Sequence, residues 1–479
     1  MTPEPPLQVD AESVLGRLSA YRGSDAPTHG GRVLSYVYDS GLAGLDELAA
    51  RAAREVQSVN GLDPTTFPSV ALLEGDLVSF GRAILHGPDA VGSVTSGGTE
   101  SCLLAVKAAR DSWRARGGHG RPRILLARTA HAAFVKAAAY LDLDVDVVPV
   151  DPAAGTFAAG DLTRRLDEAT ALVVVSAPAY PHGVVDPVAE VAATALDAGV
   201  PCHVDACIGG LVLPFWEEAG GGPVPAWDFR VPGVTSISAD LHKYGYAPKG
   251  SSLLLFADRD LDRARYFALT DWPGYPVVNP TALGSRSAGA LAAAWAVTSA
   301  LGAQGYVALT RRVVAATAAV RACVGGIPGL AVLGDPTGPL LAVVTDPGAP
   351  EEDRVDPHAW AGAVAQRGFV LQGQPGLVQA DGSRIPRSTH LTVTPVTAQV
   401  LDDLCTALVA GADEVRGRAP GLESVPEALP DPALLARAAR DTGELDLAAV
   451  LGLIEALPRE ASARMLVDFL ATFTEPRPG

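Results

Sequence analysis

The sequence predicts an α/β protein with a doubly wound, mostly parallel sheet and a smaller α+β domain after it. Short, mostly apolar runs alternate with helical patterns between residues 92 and 256, as expected for strands buried on both faces of a sheet. The strands are predicted at 124–127, 145–150, 171–176, 202–204, 234–238 and 252–256. The helices are predicted at 99–116, 131–141, 161–168 and 187–198. The last two strands are too close for a crossover helix, so we expect them to pair antiparallel.

Outside this region the pattern changes. A helix is predicted over 42–59 and a long one over 285–322. A helix at 357–367 then lies among short β-rich runs, which predicts the α+β domain. These runs are at 330–333, 340–344, 369–372 and 389–394.

We divide the chain into four parts on this basis: an N-terminal arm (1–60), a large domain (61–310), a small domain (311–418) and a C-terminal extension (419–479). The extension opens with a linker marked by prolines. They are Pro420, Pro426, Pro430 and Pro432. Beyond the linker, 433–473 is expected to form two or three helices.

The composition narrows the possible partners and the compartment. The net charge of −17 argues against nucleic acid or an anionic membrane surface as a partner. No apolar run is long enough to span a bilayer, and the N-terminus does not resemble a signal peptide. Five cysteines make an odd, sparse set that does not suggest a disulfide framework, so we expect a cytoplasmic protein.

Lysine is rare in this chain, with Lys107, Lys136, Lys243 and Lys249 the only four among 37 basic residues. Where arginine is so favoured, a retained lysine can indicate chemistry that arginine cannot perform. A desolvated lysine can act as a nucleophile and form an imine, whereas arginine stays protonated.

The segment Thr95-Ser-Gly-Gly-Thr-Glu-Ser101 precedes a strong helical pattern. Free amides at a helix N-terminus bind phosphate, and Gly97 and Gly98 allow an anion to approach the backbone closely. An ordinary helix cap, with Thr99 or Ser96 as the capping residue, explains the same segment.

The segment Cys202-His-Val-Asp-Ala-Cys207 places Asp205 at the carboxyl end of a buried strand, the edge where α/β sheets bind ligands. Such a carboxylate can pair with a protonated ring nitrogen of a cofactor, or it can be a buried, hydrogen-bonded aspartate. A metal site of His203, Asp205 and Cys207 would require the strand to continue. Gly209 and the following glycine indicate an early end, so no metal site is predicted.

The segment 236–252 leads from a short β-run into a polar turn with His242 and Lys243 side by side. A lysine shielded from water at a strand end is expected to have a lowered pKa and to be nucleophilic. A Pro-Lys-Gly turn then brings Lys249 back toward the same edge. Other strand-to-helix junctions also carry polar groups, and together they favour one functional site. These groups are His131, Ser176, Tyr180 and His182.

Six segments in this order resemble the fold-type I enzymes that use pyridoxal 5′-phosphate (PLP), specifically the sphingosine-1-phosphate lyases and their relatives among the group II decarboxylases. The resemblance covers about residues 28–400. The segments are TSGGTES (95–101), HAAFVKAA (131–138), PHGVVDP (181–187), HVDAC (203–207), HKYGYAPKGSS (242–252) and GSRSAG (284–289).

The resemblance implies a cofactor role for each matching position. Lys243 would hold PLP as a Schiff base, Asp205 would pair with the ring nitrogen, and His131 would stack on the ring. The remaining positions surround the cofactor and its phosphate. They are Ser96, Gly97, Gly98, Thr99, Ser176 and His242.

The resemblance also implies a homodimer with shared active sites, because Gly284 and Ser285 would reach the phosphate from a second subunit. Tyr38, Lys249 and His182 would face a small-molecule amine or amino-acid substrate and could act as the catalytic base. Tyr36 departs from the family pattern near the substrate entrance, and His182 occupies a position that is often tyrosine.

Two reactions fit these residues. Carbon–carbon cleavage of a β-hydroxy amine would give an aldehyde and an amine, and we favour it because HKYGYAPKGSS resembles the lyases. Amino-acid decarboxylation would use the same cofactor residues. A non-catalytic protein of the same fold is the third reading, against which the intact Lys243, Asp205 and His131 argue.

Overall fold

The structure is a computed structural model that describes residues 8–418, 431–442 and 447–476. The chain forms two compact units, Gly30–Ala419 on the one hand and Met1–His29 with Pro420–Gly479 on the other. The helices are α1 (Ala11–Arg22), α2 (Ala43–Glu55), α3 (Pro68–Ile84), α4 (Gly98–Ala115), α5 (Ala132–Leu141), α6 (Ala159–Thr163), α7 (Val188–Asp197), α8 (Arg259–Ala264), α9 (Gly289–Gly325), α10 (Pro357–Ala365), α11 (Leu401–Val415), α12 (Pro432–Thr442), α13 (Leu447–Ala456) and α14 (Arg459–Phe473).

The strands begin with the seven that form the main sheet. These are β1 (Val91–Thr95), β2 (Arg123–Ala127), β3 (Asp144–Val148), β4 (Thr170–Ser176), β5 (Cys202–Asp205), β6 (Val234–Ala239) and β7 (Ser252–Phe256). The shorter strands follow: β8 (Phe267–Leu269), β9 (Val277–Asn279), β10 (Leu330–Val332), β11 (Leu340–Thr345), β12 (Gln372–Gln374), β13 (Leu377–Val378), β14 (Arg384–Ile385) and β15 (Ser388–Thr392).

The main sheet has the strand order β1-β7-β6-β5-β4-β2-β3. Pairing is parallel from β6 through to β3, and β7 joins antiparallel to both β6 and β1. The predicted α/β class, the mostly parallel sheet and the antiparallel pairing of the last two strands are therefore confirmed. All seven residues of β4 are buried, as expected for a strand covered on both faces.

The small α+β part contains a four-stranded antiparallel sheet of order β10-β11-β15-β12. Its apolar face packs with α10, α11 and the end of α9 around the buried Trp360. The strand predicted at 369–372 is shifted, since β12 starts at Gln372 and Val370 instead forms a single bridge with Val33.

Several predicted elements differ from the structure. The helix predicted at 161–168 is the shorter α6, because Thr170 and Asp167 hydrogen-bond each other and close a turn after it. The helix predicted at 42–59 ends at Glu55. The sequence patterns also missed elements in the described residues: α1, α3, α8, α11, β1 and the hairpins β8–β9 and β13–β14.

The C-terminal residues form three helices, α12, α13 and α14, as predicted for 433–473. The predicted linker, 419–430, lies outside the described residues. Within the described part of the chain, none of the helices has both the length and the apolar character that a membrane span requires. The four-part domain division stays a prediction.

Candidate active site

A cavity of about 380 Å³ lies at the carboxyl ends of the parallel strands. Eight residues that the sequence singled out line it together: Ser96, Gly97, Gly98, Thr99, His131, Asp205, His242 and Lys243. Tyr180, from the same set of strand-end residues, also lines it. The carboxyl ends of neighbouring parallel strands meet at one sheet edge, which explains why distant segments converge here.

One wall of the cavity is the tight entry from β1 into α4. Gly97 has a φ of 150°, and a side chain there would come within 3.1 Å of the His242 ring. A Cβ atom on Gly98 would lie 2.8 Å from both Asp240 Oδ2 and Cys207 Sγ. Glycine is therefore required at both positions, and the first amides of α4, which have no partner within the helix, remain available to an anion.

Asp205 ends β5 and lines the cavity, with only 8% of its surface exposed. Its Oδ1 accepts a hydrogen bond from the Cys207 amide at 3.1 Å, which fixes the carboxylate. A buried carboxylate held in this way can bind a cationic ring nitrogen.

His203 does not belong to the cavity. Its two ring nitrogens lie 2.8 Å from Ser236 Oγ and 3.2 Å from Ser238 Oγ. Burial lowers the pKa of His203 to about 4, so the ring is neutral at pH 7. Strand β5 ends at Asp205, as the glycines at 209–210 predict.

Lys243 lies in the turn after β6, and its Nζ is 2.9 Å from Asp240 Oδ2. Burial disfavours the ammonium, but the Asp240 carboxylate offsets this and holds the pKa of Lys243 well above its usual range. The lowered pKa expected for Lys243 is therefore wrong for the cofactor-free chain. The pattern did not include Asp240, whose side chain is 1% exposed.

Asp240 is the main residue of this site that the sequence patterns missed. Although it is buried, Lys243 and His242 lower its pKa below the ordinary 3.8. His242 Nε2 lies 3.6 Å from Asp240 Oδ2, and burial lowers the pKa of His242. The sequence spacing could have indicated this ion pair, because Asp240 precedes Lys243 by three residues in a predicted turn.

In the part of the chain that the structure describes, Lys249 has no such carboxylate partner. Its Nζ donates to the His242 carbonyl at 3.3 Å and lies 4.7 Å from the centre of the Tyr38 ring. Desolvation and the nearby charge of Lys243 lower the pKa of Lys249 to about 8, whereas burial raises that of Tyr38 to about 12. At neutral pH the lysine can thus exchange a proton far more readily than the tyrosine.

Six predicted residues do not line the cavity of this chain: Tyr38, Lys249, Ser176, His182, Gly284 and Ser285. Ser176 ends β4 beside Asp205, and its buried Oγ has no hydrogen-bond partner. His182 is buried, with Nδ1 3.2 Å from the Gly155 carbonyl. Gly284 and Ser285 lie before α9, where the exposed Ser285 accepts from Asn60 Nδ2 at 3.3 Å.

Comparison with known proteins identifies the family. The model of the pyridoxal-dependent decarboxylase conserved domain matches residues 45–325, more than half of the chain. The chain belongs to this family. Its cofactor is therefore PLP.

Curated proteins similar to this chain include sphingosine-1-phosphate lyases. The sphingosine-1-phosphate lyase of Oryza sativa is 35% identical over 399 residues, covering 80% of this chain and 71% of that protein. Sphingosine-1-phosphate lyase 1 of Rattus norvegicus is 39% identical over 346 residues, or 71% of this chain. The chain spans 59% of the rat protein's length.

Solved structures of a lyase and of a decarboxylase resemble this chain in fold. A sphingosine-1-phosphate lyase from Burkholderia pseudomallei superposes with a TM-score of 0.79 at 34% identity, covering 87% of this chain and 93% of that one. A Lactobacillus brevis glutamate decarboxylase superposes with a TM-score of 0.73 at 20% identity, covering 88% of this chain and 96% of that one. The second likeness shows the fold, which is that of fold-type I PLP enzymes.

The cavity fits a PLP-family cofactor on its own chemistry. It offers an amine at Lys243, a buried carboxylate at Asp205 and a glycine entry to a helix for a phosphate group. Two buried oxygens, Ser176 Oγ and Asp240 Oδ1, have no hydrogen-bond partner among the described residues. Buried polar atoms are nearly always paired, and Asp240 borders the cavity, so its free carboxylate oxygen is compatible with a bound group there.

Proposed function

We propose that this protein is a PLP-dependent carbon–carbon lyase that cleaves a β-hydroxy amine to an aldehyde and an amine. The similarity to sphingosine-1-phosphate lyases supports this reaction, with a phosphorylated long-chain amine as the candidate substrate. The observation that carries the proposal is Lys249, a second lysine beside Lys243 with a pKa lowered to about 8.

The cavity residues would bind the cofactor, and Lys249, which lies outside the cavity lining, would move a proton. Lys243 Nζ would hold PLP, the Asp205 carboxylate would pair with its ring nitrogen, and the amides at Gly97–Thr99 would bind its phosphate. PLP, when bound, withdraws electrons from the substrate's α-carbon. His131 lines the cavity and would pack against the cofactor ring.

Lys249 is the base that this proposal assigns for the β-hydroxyl proton. Carbon–carbon cleavage requires removal of that proton, whereas decarboxylation does not. An amine with a pKa of about 8 is partly neutral at physiological pH, so Lys249 Nζ can accept it. Tyr38 would support the lysine through its ring rather than act as the base, because its pKa of about 12 keeps it protonated. His182 stays a prediction as an alternative base.

The proposal extends to assembly and location. In a homodimer, Gly284 and Ser285 of one subunit would complete the phosphate site of the other, consistent with their position away from the cavity of their own chain. The five cysteines are all free, which supports the cytoplasm as the compartment. Measurement of the mass in solution tests the dimer, and a monomeric holoenzyme would contradict it.

Product analysis tests the reaction. Full-length protein is loaded with PLP, checked for the visible absorbance of the bound cofactor, and incubated with a phosphorylated β-hydroxy amine or with a panel of amino acids. We expect aldehyde from the first and no CO₂ from the panel. CO₂ release without aldehyde would instead support a decarboxylase, and protein that stays colourless after PLP addition would overturn both reactions. The Lys136→Ala variant, which changes an exposed lysine on α5, serves as the control.

A further inference from the structure

We propose that Cys102, Cys207 and Asp205 form a binding site for a soft divalent cation such as Zn²⁺, which the PLP-free protein binds in place of its cofactor. The three residues come from different elements. Cys102 lies in the second turn of α4, Asp205 ends β5, and Cys207 follows two residues later. All three are buried and all three line the cavity.

The distances suit shared coordination. The two sulfur atoms and a carboxylate oxygen lie within 4.8 Å of one another. Zinc bonds of about 2.0–2.3 Å in a tetrahedron require ligand separations below this limit, so the three side chains would close around the cation on binding. The backbone already orients the set, since the Cys207 amide donates to Asp205 Oδ1 at 3.1 Å and leaves the other carboxylate oxygen available.

The ligand types select the cation. Two thiolates and one carboxylate favour Zn²⁺ or Cd²⁺ over Mg²⁺ or Ca²⁺, which prefer oxygen. The Cys207 thiol now donates to Ser238 Oγ at 3.3 Å. On binding, each thiol releases its proton to solvent and forms one metal–sulfur bond. Water in the cavity would complete the coordination, as in zinc sites with three protein ligands.

Among the described residues, Cys102, Asp205 and Cys207 are the one group of three potential metal ligands whose ligand atoms lie this close together. The His203 ring, which the sequence suggested beside Asp205, is held by Ser236 and Ser238. Cys102 takes its place because the start of α4 packs against Cys207, which follows β5.

Cation and cofactor exclude each other under this arrangement, because the Asp205 carboxylate cannot bind both. This exclusion rests on the proposed pairing of Asp205 with the PLP ring nitrogen. The metal affinity itself is measured in PLP-free protein, so it can fail or succeed independently of the lyase reaction.

Titration of Cd²⁺ into full-length, PLP-free, reduced protein tests the site through the ultraviolet absorbance of cadmium–thiolate bonds. We expect one Cd²⁺ per chain. The Cys102→Ser and Cys207→Ser variants should each bind Cd²⁺ at least about 10- to 100-fold more weakly. That is the effect of removing a residue that only hydrogen-bonds to a metal ligand, and removal of a ligand itself should weaken binding more. PLP-loaded protein should require more Cd²⁺ for the same signal.

The matched control is Cys323→Ser, which changes a thiol close to Cys405 in the small domain and should leave the titration unchanged. Restored PLP absorbance shows that each variant is folded, and Cys102→Ala replaces Cys102→Ser if the latter fails this check. Three results would overturn the proposal: wild-type affinity in a Cys102 or Cys207 variant, loss of the signal in Cys323→Ser alone, or simultaneous binding of Cd²⁺ and PLP.

Discussion

The connection between β6 and β7 contains two turns, and each carries a lysine in an opposite electrostatic setting. In the turn at 240–243, the Asp240 carboxylate lies 2.9 Å from Lys243 Nζ and holds the lysine in its charged form. In the turn at 247–250, Lys249 contacts the His242 carbonyl and the Tyr38 ring, and its pKa falls to about 8. Lys243 is mostly buried, whereas Lys249 is exposed at its outer end. Desolvation acts in the same direction on both lysines, so the Asp240 carboxylate beside Lys243 accounts for the opposite direction of the two pKa shifts.

This difference suggests a division of work between the lysines. An ion-paired lysine is held in place, which suits the residue that carries a cofactor. A lysine without a counter-ion exchanges protons near neutral pH, which suits a base. Substitutions at either lysine, or at the residues that contact it, test whether the two lysines have these separate roles.

Replacement of Lys243 by alanine should have the largest effect. Without its amine the cavity has no group to hold PLP covalently, and we expect kcat to fall by at least about a thousandfold, as for loss of other covalent catalytic groups. The visible absorbance of bound cofactor should disappear as well. A Lys243→Ala enzyme that keeps both would show that the two lysines have the opposite roles.

Replacement of Lys249 by methionine should lower kcat by about 10²- to 10⁴-fold, the usual contribution of a positioned base. The wild-type rate should rise with pH through about 8, as Lys249 loses its proton, and the variant should lack this rise. The cofactor absorbance should stay, which separates this variant from Lys243→Ala.

The control for Lys249 is Lys249→Arg, which keeps the positive charge but cannot accept the proton. We expect it to match Lys249→Met in the rate profile. If arginine restores the rate, the lysine acts through its charge and the base lies elsewhere, with His182 the next candidate.

Replacement of Asp240 by alanine should destabilise the PLP-free protein. The Lys243 ammonium would lose its buried partner, a change that costs about 3–5 kcal/mol in the free energy of unfolding at pH 7. Because the pKa of Asp240 is lowered below 3.8, the pair stabilises the fold above that pH and is lost as the pH falls through the lowered value.

Denaturant unfolding measures this effect, with Asp260→Ala as the matched control. Asp260 also pairs with a cation three residues later, Arg263, but both side chains are exposed. Such surface pairs contribute about 0–1 kcal/mol. Equal losses in the two variants would show that the Asp240–Lys243 pair is not buried in solution.

The sequence predicted which residues lie at the carboxyl edge of the sheet, but not the ion pair between Asp240 and Lys243 at that edge. Apolar runs gave the strands, and polar residues at the strand ends, such as His131 and Asp205, could be expected to converge on one cavity. Asp240 was missed because its burial depends on the close approach of Gly98, more than a hundred residues away. Cys102 was missed because nothing in a helical pattern shows which turn faces a neighbouring strand.

Tyr38 illustrates the remaining limit, because only family resemblance connected it to Lys249 and its contact depends on packing. We expect Tyr38→Leu to have the smallest effect, since it removes an aromatic face but keeps apolar bulk. A cation–π contact at a partly exposed site is worth about 0.5–1 kcal/mol, or roughly half a pKa unit. Its loss should lower the pKa of Lys249 further and move the midpoint of the pH–rate profile below that of the wild type. An unchanged or higher midpoint would show that the ring does not stabilise the Lys249 ammonium.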